Sequence, residues 1–146
     1  MPAPYDPPAA FALTRVVETA LYFDDLAAGT AFYRDVLGLR VMNEGARLVA
    51  LDAGAGTVLL LFQRGATTEG YRWPEGFIPG HDGAGPAHVA LGVASEHLDA
   101  WARRLTSLGI TVESRVTWTR GGRSLYFRDP GGHSLELVTP GTWENY

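Results

Sequence analysis

Cysteine is absent from the 146-residue chain. Disulfides, thiolate metal sites and cysteine nucleophiles are therefore excluded. A chain without cysteine suits a reducing compartment, and a cytoplasmic location is the expectation. Positive charge is scarce as well: twelve Lys and Arg stand against sixteen Asp and Glu, a formal net charge of −4. The basic face of a nucleic-acid binder is missing, so no nucleic-acid partner is expected. Long apolar runs are also lacking. A run such as "TVLLLF" falls far short of the ~20 residues that cross a bilayer, so no membrane partner is expected either. The opening "MPAPYDPPAAFA" has no basic region and no continuous apolar core, and does not read as a signal peptide. Its four prolines predict an extended arm.

What is present is an ordinary globular composition, 46% hydrophobic and 19% charged, enough for a real core. The length fits one domain, or two very small halves packed as one. The chain contains itself twice. "ETALYFDDLAAGTAFYRDVLGLRV" from Glu18 lies beside "HVALGVASEHLDAWARRLTSLGITV" from His88. Each opens on a polar residue and an alternating strand. Each then has a helix opener, Asp24-Asp25 or Ser95, and apolar residues at helical spacing. Each helix stops at Leu-Gly, Gly38 and Gly109. "RLVALDAGAGTVLLLFQ" from Arg47 then matches "RSLYFRDPGGHSLELVT" from Arg123 without gaps, and both read strand, turn, strand. The expected organisation is an arm over 1–13, one domain over 14–140 and a tail over 141–146. Within the domain, module one spans 14–64, a Gly- and Pro-rich linker 65–86, and module two 87–140.

Under this alignment Glu18 pairs with His88, and Leu60 with Glu136. Glu136 sits in "SLELV" among apolar neighbours. A lone buried carboxylate is costly unless paired, protonated or bound to a metal. His88 starts a strand whose sequence neighbours offer it no partner. Three polar residues at repeat-matched places are more informative than any one of them.

The repeat, with "FYRDVLGL" on the first helix and "YFRDPGGHSLELVTP" near the end, resembles the vicinal oxygen chelate superfamily. That superfamily includes glyoxalase I, fosfomycin-resistance proteins, extradiol dioxygenases, methylmalonyl-CoA epimerase and bleomycin-resistance proteins. The resemblance covers roughly Arg15 to Pro140. It implies an α+β fold of paired βαβββ modules whose sheets curl around an open cleft. It also implies one divalent metal ion per chain, held at the start of each module's first strand and within each module's last strand. Here those positions are Glu18, Leu60, His88 and Glu136. Leucine cannot ligate, so Glu18, His88 and Glu136 are the implied metal ligands.

Two carboxylates and an imidazole suit Mn, Fe, Co, Ni or Zn more than copper. Three protein ligands leave positions for water or for a small substrate chelating through neighbouring oxygens. The implied function is a metal-dependent isomerase, lyase or ring-cleaving dioxygenase. The alternative is a metal-free ligand-sequestering protein of the bleomycin-resistance type. Glu136 and Tyr126 are the candidate catalytic residues. A Glu that leaves the metal can act as base. Tyr126 matches a tyrosine that contacts substrate in fosfomycin-resistance enzymes. Ala20 replaces those enzymes' hydroxyl residue two places after the first ligand, which argues against fosfomycin as the substrate. The resemblance further implies a homodimer. Tyr71, Trp73 and Trp118 are candidate pocket walls, and Arg120 and Arg123 candidate anion contacts. His81 and His97 read as loop and first-turn residues, and His133 as structural.

Overall fold

The structure is a computed structural model that describes residues 1–146. Module one runs β1 (Glu18–Phe23), α1 (Leu26–Ala31), β2 (Arg40–Glu44), β3 (Leu48–Gly54) and β4 (Thr57–Gln63). A small hairpin follows, β5 (Tyr71–Trp73) and β6 (Gly76–Ile78). Module two runs β7 (His88–Gly92), α2 (Leu98–Ser107), β8 (Ser114–Thr117), β9 (Arg123–Arg128) and β10 (Ser134–Val138). The sheet orders are β1-β4-β3-β2 and β7-β10-β9-β8, the same topology twice and open at both edges. No helix is long and apolar enough to cross a membrane.

The repeat is carried down to register. In module one Glu18 stands opposite Val58, and Ala20 opposite Leu60. In module two His88 stands opposite Ser134, and Ala90 opposite Glu136. Leu60 and Glu136 therefore occupy the same place on two equivalent strands. The helix starts differ. The Asp25 carboxylate accepts the Ala28 N–H at 3.0 Å, satisfying one orphan donor of α1. Ser95 makes no capping bond; a 3₁₀ turn over Ser95–His97 leads into α2 instead. The α1 helix continues as a π-helical turn over Phe32–Val36. Gly38 and Gly109 then reverse the chain at φ 77° and 73°, where a Cβ would be strained.

One core serves both modules. Alternate residues of each sheet enter it: Leu21, Phe23, Leu59 and Leu61 from one, Leu125, Phe127, Leu135 and Leu137 from the other. Helix residues Leu26, Tyr33, Leu98 and Leu105 complete it. Each such aliphatic or aromatic side chain contributes about 1.5–3 kcal/mol on burial. The seam also carries a polar staple. The Tyr33 hydroxyl donates to the Asp129 carboxylate at 2.8 Å, and His133 Nδ1 lies 2.8 Å from the same group. Burial first, and then the Asp129 charge, pushes the Tyr33 phenol far above its usual range, so it stays a donor. His133 is thus structural, as its turn position predicts.

With the helices and core between them, the two sheets turn their other faces outward. Module one presents Glu18, Ala20, Tyr22, Leu60 and Phe62 there, and module two presents His88, Ala90, Ser124, Tyr126 and Glu136. The arm is exposed through Leu13 apart from the half-buried Pro7, and has one 3₁₀ turn at Ala9–Phe11. At the other end the Tyr146 hydroxyl donates to the Val138 carbonyl at 3.2 Å, closing the far end of the module-two face.

Candidate metal centre

Strand pairing places Glu136 between His88's strand and Tyr126, its direct partner on β9. Glu136 is only 7% exposed and has no Lys or Arg partner. Its Oε1 accepts the Ser124 hydroxyl at 2.5 Å. Trp118 Nε1–H donates to Ser124 Oγ at 2.8 Å, which commits the Ser124 proton to the carboxylate. Its Oε2 lies 3.2 Å from His88 Nε2. His88 Nδ1 is 2.9 Å from the Ser134 carbonyl, which only accepts, so Nδ1 carries a proton. The partner missing from the sequence neighbourhood of His88 thus comes from across the sheet. In the neutral imidazole, Nε2 then turns a lone pair toward a carboxylate oxygen. Two acceptors face to face require a proton or a cation between them.

This pair fits a metal ion. Two ligands about 2.1 Å from one ion, at nearly a right angle, stand about 3 Å apart. A carbonyl that accepts from the other ring nitrogen and so fixes the tautomer is the arrangement that metal-ligating histidines use. The Tyr126 ring stacks on His88 with centroids 6.2 Å apart. Burial, and then the Glu136 charge, raises the Tyr126 phenol above its usual value, which keeps it protonated as a donor.

Glu18 is placed differently. It opens β1 as His88 opens β7, is exposed, and makes no side-chain hydrogen bond or ion pair. Within one chain no group of three His, Cys, Asp or Glu is close enough to hold a metal. The chain brings His88 and Glu136 together and leaves Glu18 on the face of module one. That face is a cavity of about 520 Å³ under the β5–β6 hairpin. Glu18, Leu60, Tyr71, Trp73 and His81 line it, so the latter three are cleft residues. Trp118 belongs instead to the Ser124 hydrogen-bond chain. Arg123 is taken up by Asp99 and the Ser95 carbonyl. His97 and Arg120 are exposed. Sequence reasoning passed over Ser124 and Tyr22 as functional groups. Strand parity was the signal for both, since they share faces with Tyr126 and Glu18.

Comparisons with known proteins agree with this architecture. A lactoylglutathione lyase structure from Agrobacterium tumefaciens superposes with a TM-score of 0.81 at 35% identity, covering 95% of this chain and 99% of that one. The glutathione transferase FosA of Serratia marcescens is 29% identical over 123 residues, 80% of this chain and 74% of that protein. The metallothiol transferase FosB of Bacillus licheniformis is 40% identical over 53 residues; the match spans only 34% of that protein's length. With a family model matching residues 15–137 as well, the chain belongs to the glyoxalase/bleomycin resistance protein/dioxygenase superfamily.

Proposed function

We propose that the protein is a divalent-metal-dependent enzyme acting on a small substrate that chelates through neighbouring oxygens. In this reading His88 and Glu136 of one chain and Glu18 of a second copy hold the metal. The observation that carries it is the His88–Glu136 pair: a buried carboxylate without Lys or Arg, facing an imidazole lone pair at 3.2 Å on an open face. The lyase and transferase relatives support enzymatic use of such a site. A homodimer completes it, because Glu18 does not join the His88–Glu136 pair within one chain and a second copy can bring its own Glu18 there.

A bound divalent ion supplies Lewis-acid stabilisation of negative charge on substrate oxygen. The chain's own groups do the rest. Ser124 holds one Glu136 oxygen and fixes the carboxylate's rotamer. Glu136 is placed to accept a proton from a carbon or oxygen of the bound substrate. Tyr126, protonated, donates a hydrogen bond to a substrate oxygen. Leu60, opposite in the repeat, adds no ligand and leaves room for the substrate.

Metal analysis of purified protein, with sedimentation, tests the reading. One divalent ion per chain in a dimer is expected, and His88→Ala should lose it while remaining folded. Mixing Glu18→Ala with His88→Ala chains locates the site. If it forms between chains, about a quarter of sites regain metal, since half the dimers are mixed and each has one intact site. A site built within one chain recovers none. A folded, metal-free monomer would sink the proposal and leave the ligand-sequestering alternative.

A further inference from the structure

The module-one cavity has Glu18, the proposed metal ligand, at its edge, and its other walls are groups that the metal centre does not use. Its floor is low, because Ala20 stands opposite Leu60 on the paired strands. At one end Tyr22 stacks on Phe62, centroids 5.6 Å apart and planes 20° from parallel. His81, from the linker, packs edge-on to Phe62 at 4.7 Å, and its Nδ1 lies 2.6 Å from the Tyr22 hydroxyl. The linker is pinned in this position: Arg64 reaches the Gly83 carbonyl and Asp24, and Thr67 Oγ1 donates to the His81 carbonyl. Along the side run Tyr71 and Trp73, edge-to-face at 5.1 Å. At the mouth the Arg47 guanidinium lies 4.7 Å over the Tyr71 ring and has no hydrogen bond or ion pair within the chain. Arg47 is the only Lys or Arg that lines the cavity.

We infer that this cavity binds a planar aromatic monoanion of one or two fused rings, its ring between the Tyr71–Trp73 side and the Ala20–Leu60 floor and its acid group on Arg47. This rests on the proposed function, of which it names the substrate class. The volume of about 520 Å³ lies in the usual range for small-molecule sites. Aromatic walls favour a flat π-system over a flexible aliphatic chain, because stacking and edge contacts add to area burial. A planar guanidinium fork without an acceptor is made for a carboxylate or a comparable oxyanion. A peptide ligand with two carboxylates would need a second cation, and the cavity has only Arg47. The Tyr22–His81 pair gives the ring's far end a hydrogen-bonding contact, suited to a phenolic or keto oxygen. Exposure of Trp73 and Tyr71 follows from the open mouth.

The test is calorimetric titration of the protein as purified, with EDTA present, using three probes. 2-Naphthoate has the ring and the acid, 2-naphthylmethanol the ring alone, and decanoate the acid alone. 2-Naphthoate should bind about tenfold tighter than either of the others, the worth of one charge-assisted contact or one stacked wall. Arg47→Gln should abolish its advantage over the alcohol. Trp73→Ala should weaken both naphthyl probes about tenfold and leave decanoate unchanged. Equal binding of all three, no binding, or indifference to both substitutions overturns the inference; a surface that only meets a second copy would give that result. A fourth probe keeps the metal reading separate. 6,7-Dihydroxy-2-naphthoate has two neighbouring oxygens at the end away from its acid and should gain affinity when Mn replaces EDTA, whereas 2-naphthoate should not. Loss of that gain alone refutes the metal reading and leaves the aromatic site standing.

Discussion

The two modules share topology, strand register and glycine-ended helices, yet their outward faces have opposite chemistry. Module one shows Ala20 and Leu60 beneath an aromatic cavity; module two shows Ala90 and Glu136 beside His88. The difference teaches that the duplicated backbone sets positions and the side chains divide the labour. One half supplies shape, the other supplies the buried acid and its hydrogen bonds. The two β-hairpins make the same point. Asp52 in the first and Asp129 in the second each accept a backbone N–H two residues on. Asp52 is aligned with Arg128, however, so Asp129 stands one place later in the repeat. A one-residue shift in a strand changes the face. Asp52 pairs with exposed Arg40, whereas Asp129 is buried against Tyr33 and His133.

The comparison breaks most completely if module two is given the chemistry of module one. Glu136→Leu should lower metal affinity by two orders of magnitude or more, since a ligand and the Ser124 hydrogen bond that orients it are both lost. Metal-free melting should stay close to wild type, because relief of the cost of burying a carboxylate offsets the loss of the acceptor of the Ser124 hydroxyl. Metal analysis and melts with EDTA check the two parts, and unchanged metal content would remove Glu136 from the site.

The reverse exchange is next in size. Leu60→Glu puts a carboxylate at the place equivalent to Glu136, but on a face that lacks the serine. Without metal the variant should lose about 1–3 kcal/mol, the usual cost of an uncompensated polar group. Added Mn or Zn should restore melting beyond that of the metal-free variant. An equal loss with and without metal would show that residue 60 does not face the ion.

The staple between the halves is tested by Tyr33→Phe. It leaves a buried carboxylate one donor short, and about 1.5–3 kcal/mol should be lost in urea unfolding. The modules should still melt together, because one core serves both. Separate transitions would mean that the seam, not the core, joins them.

The smallest effect is at the exposed counterpart of that staple. The Gly54 N–H first, and then Arg40, hold the Asp52 carboxylate below its usual range. A depressed folded-state value adds stability above the unfolded value, lost as pH falls through the folded one. Asp52→Asn should therefore lower melting slightly at neutral pH and flatten the decline below about pH 4. A melting profile parallel to wild type at all pH values would assign Asp52 no role.

Much of this was legible without coordinates. Hydrophobic periodicity and two Leu-Gly stops are local properties, and they placed the repeat, its strands and the pairing of Leu60 with Glu136. The α+β fold follows from them and from the family resemblance. The oddity of Glu136 was also legible, because an acid between leucines is costly whatever the fold. What only the tertiary structure decided were contacts between residues far apart in the chain. The Ser124 hydroxyl meets Glu136 across β9 and β10, and His88 finds the Ser134 carbonyl across β7 and β10. His81 reaches Tyr22 through a linker without periodicity, which no local rule positions. Above all, the chain packs its modules on their helix sides. Glu18 consequently does not join the His88–Glu136 pair within one chain, a consequence of where apolar area is buried rather than of any local preference.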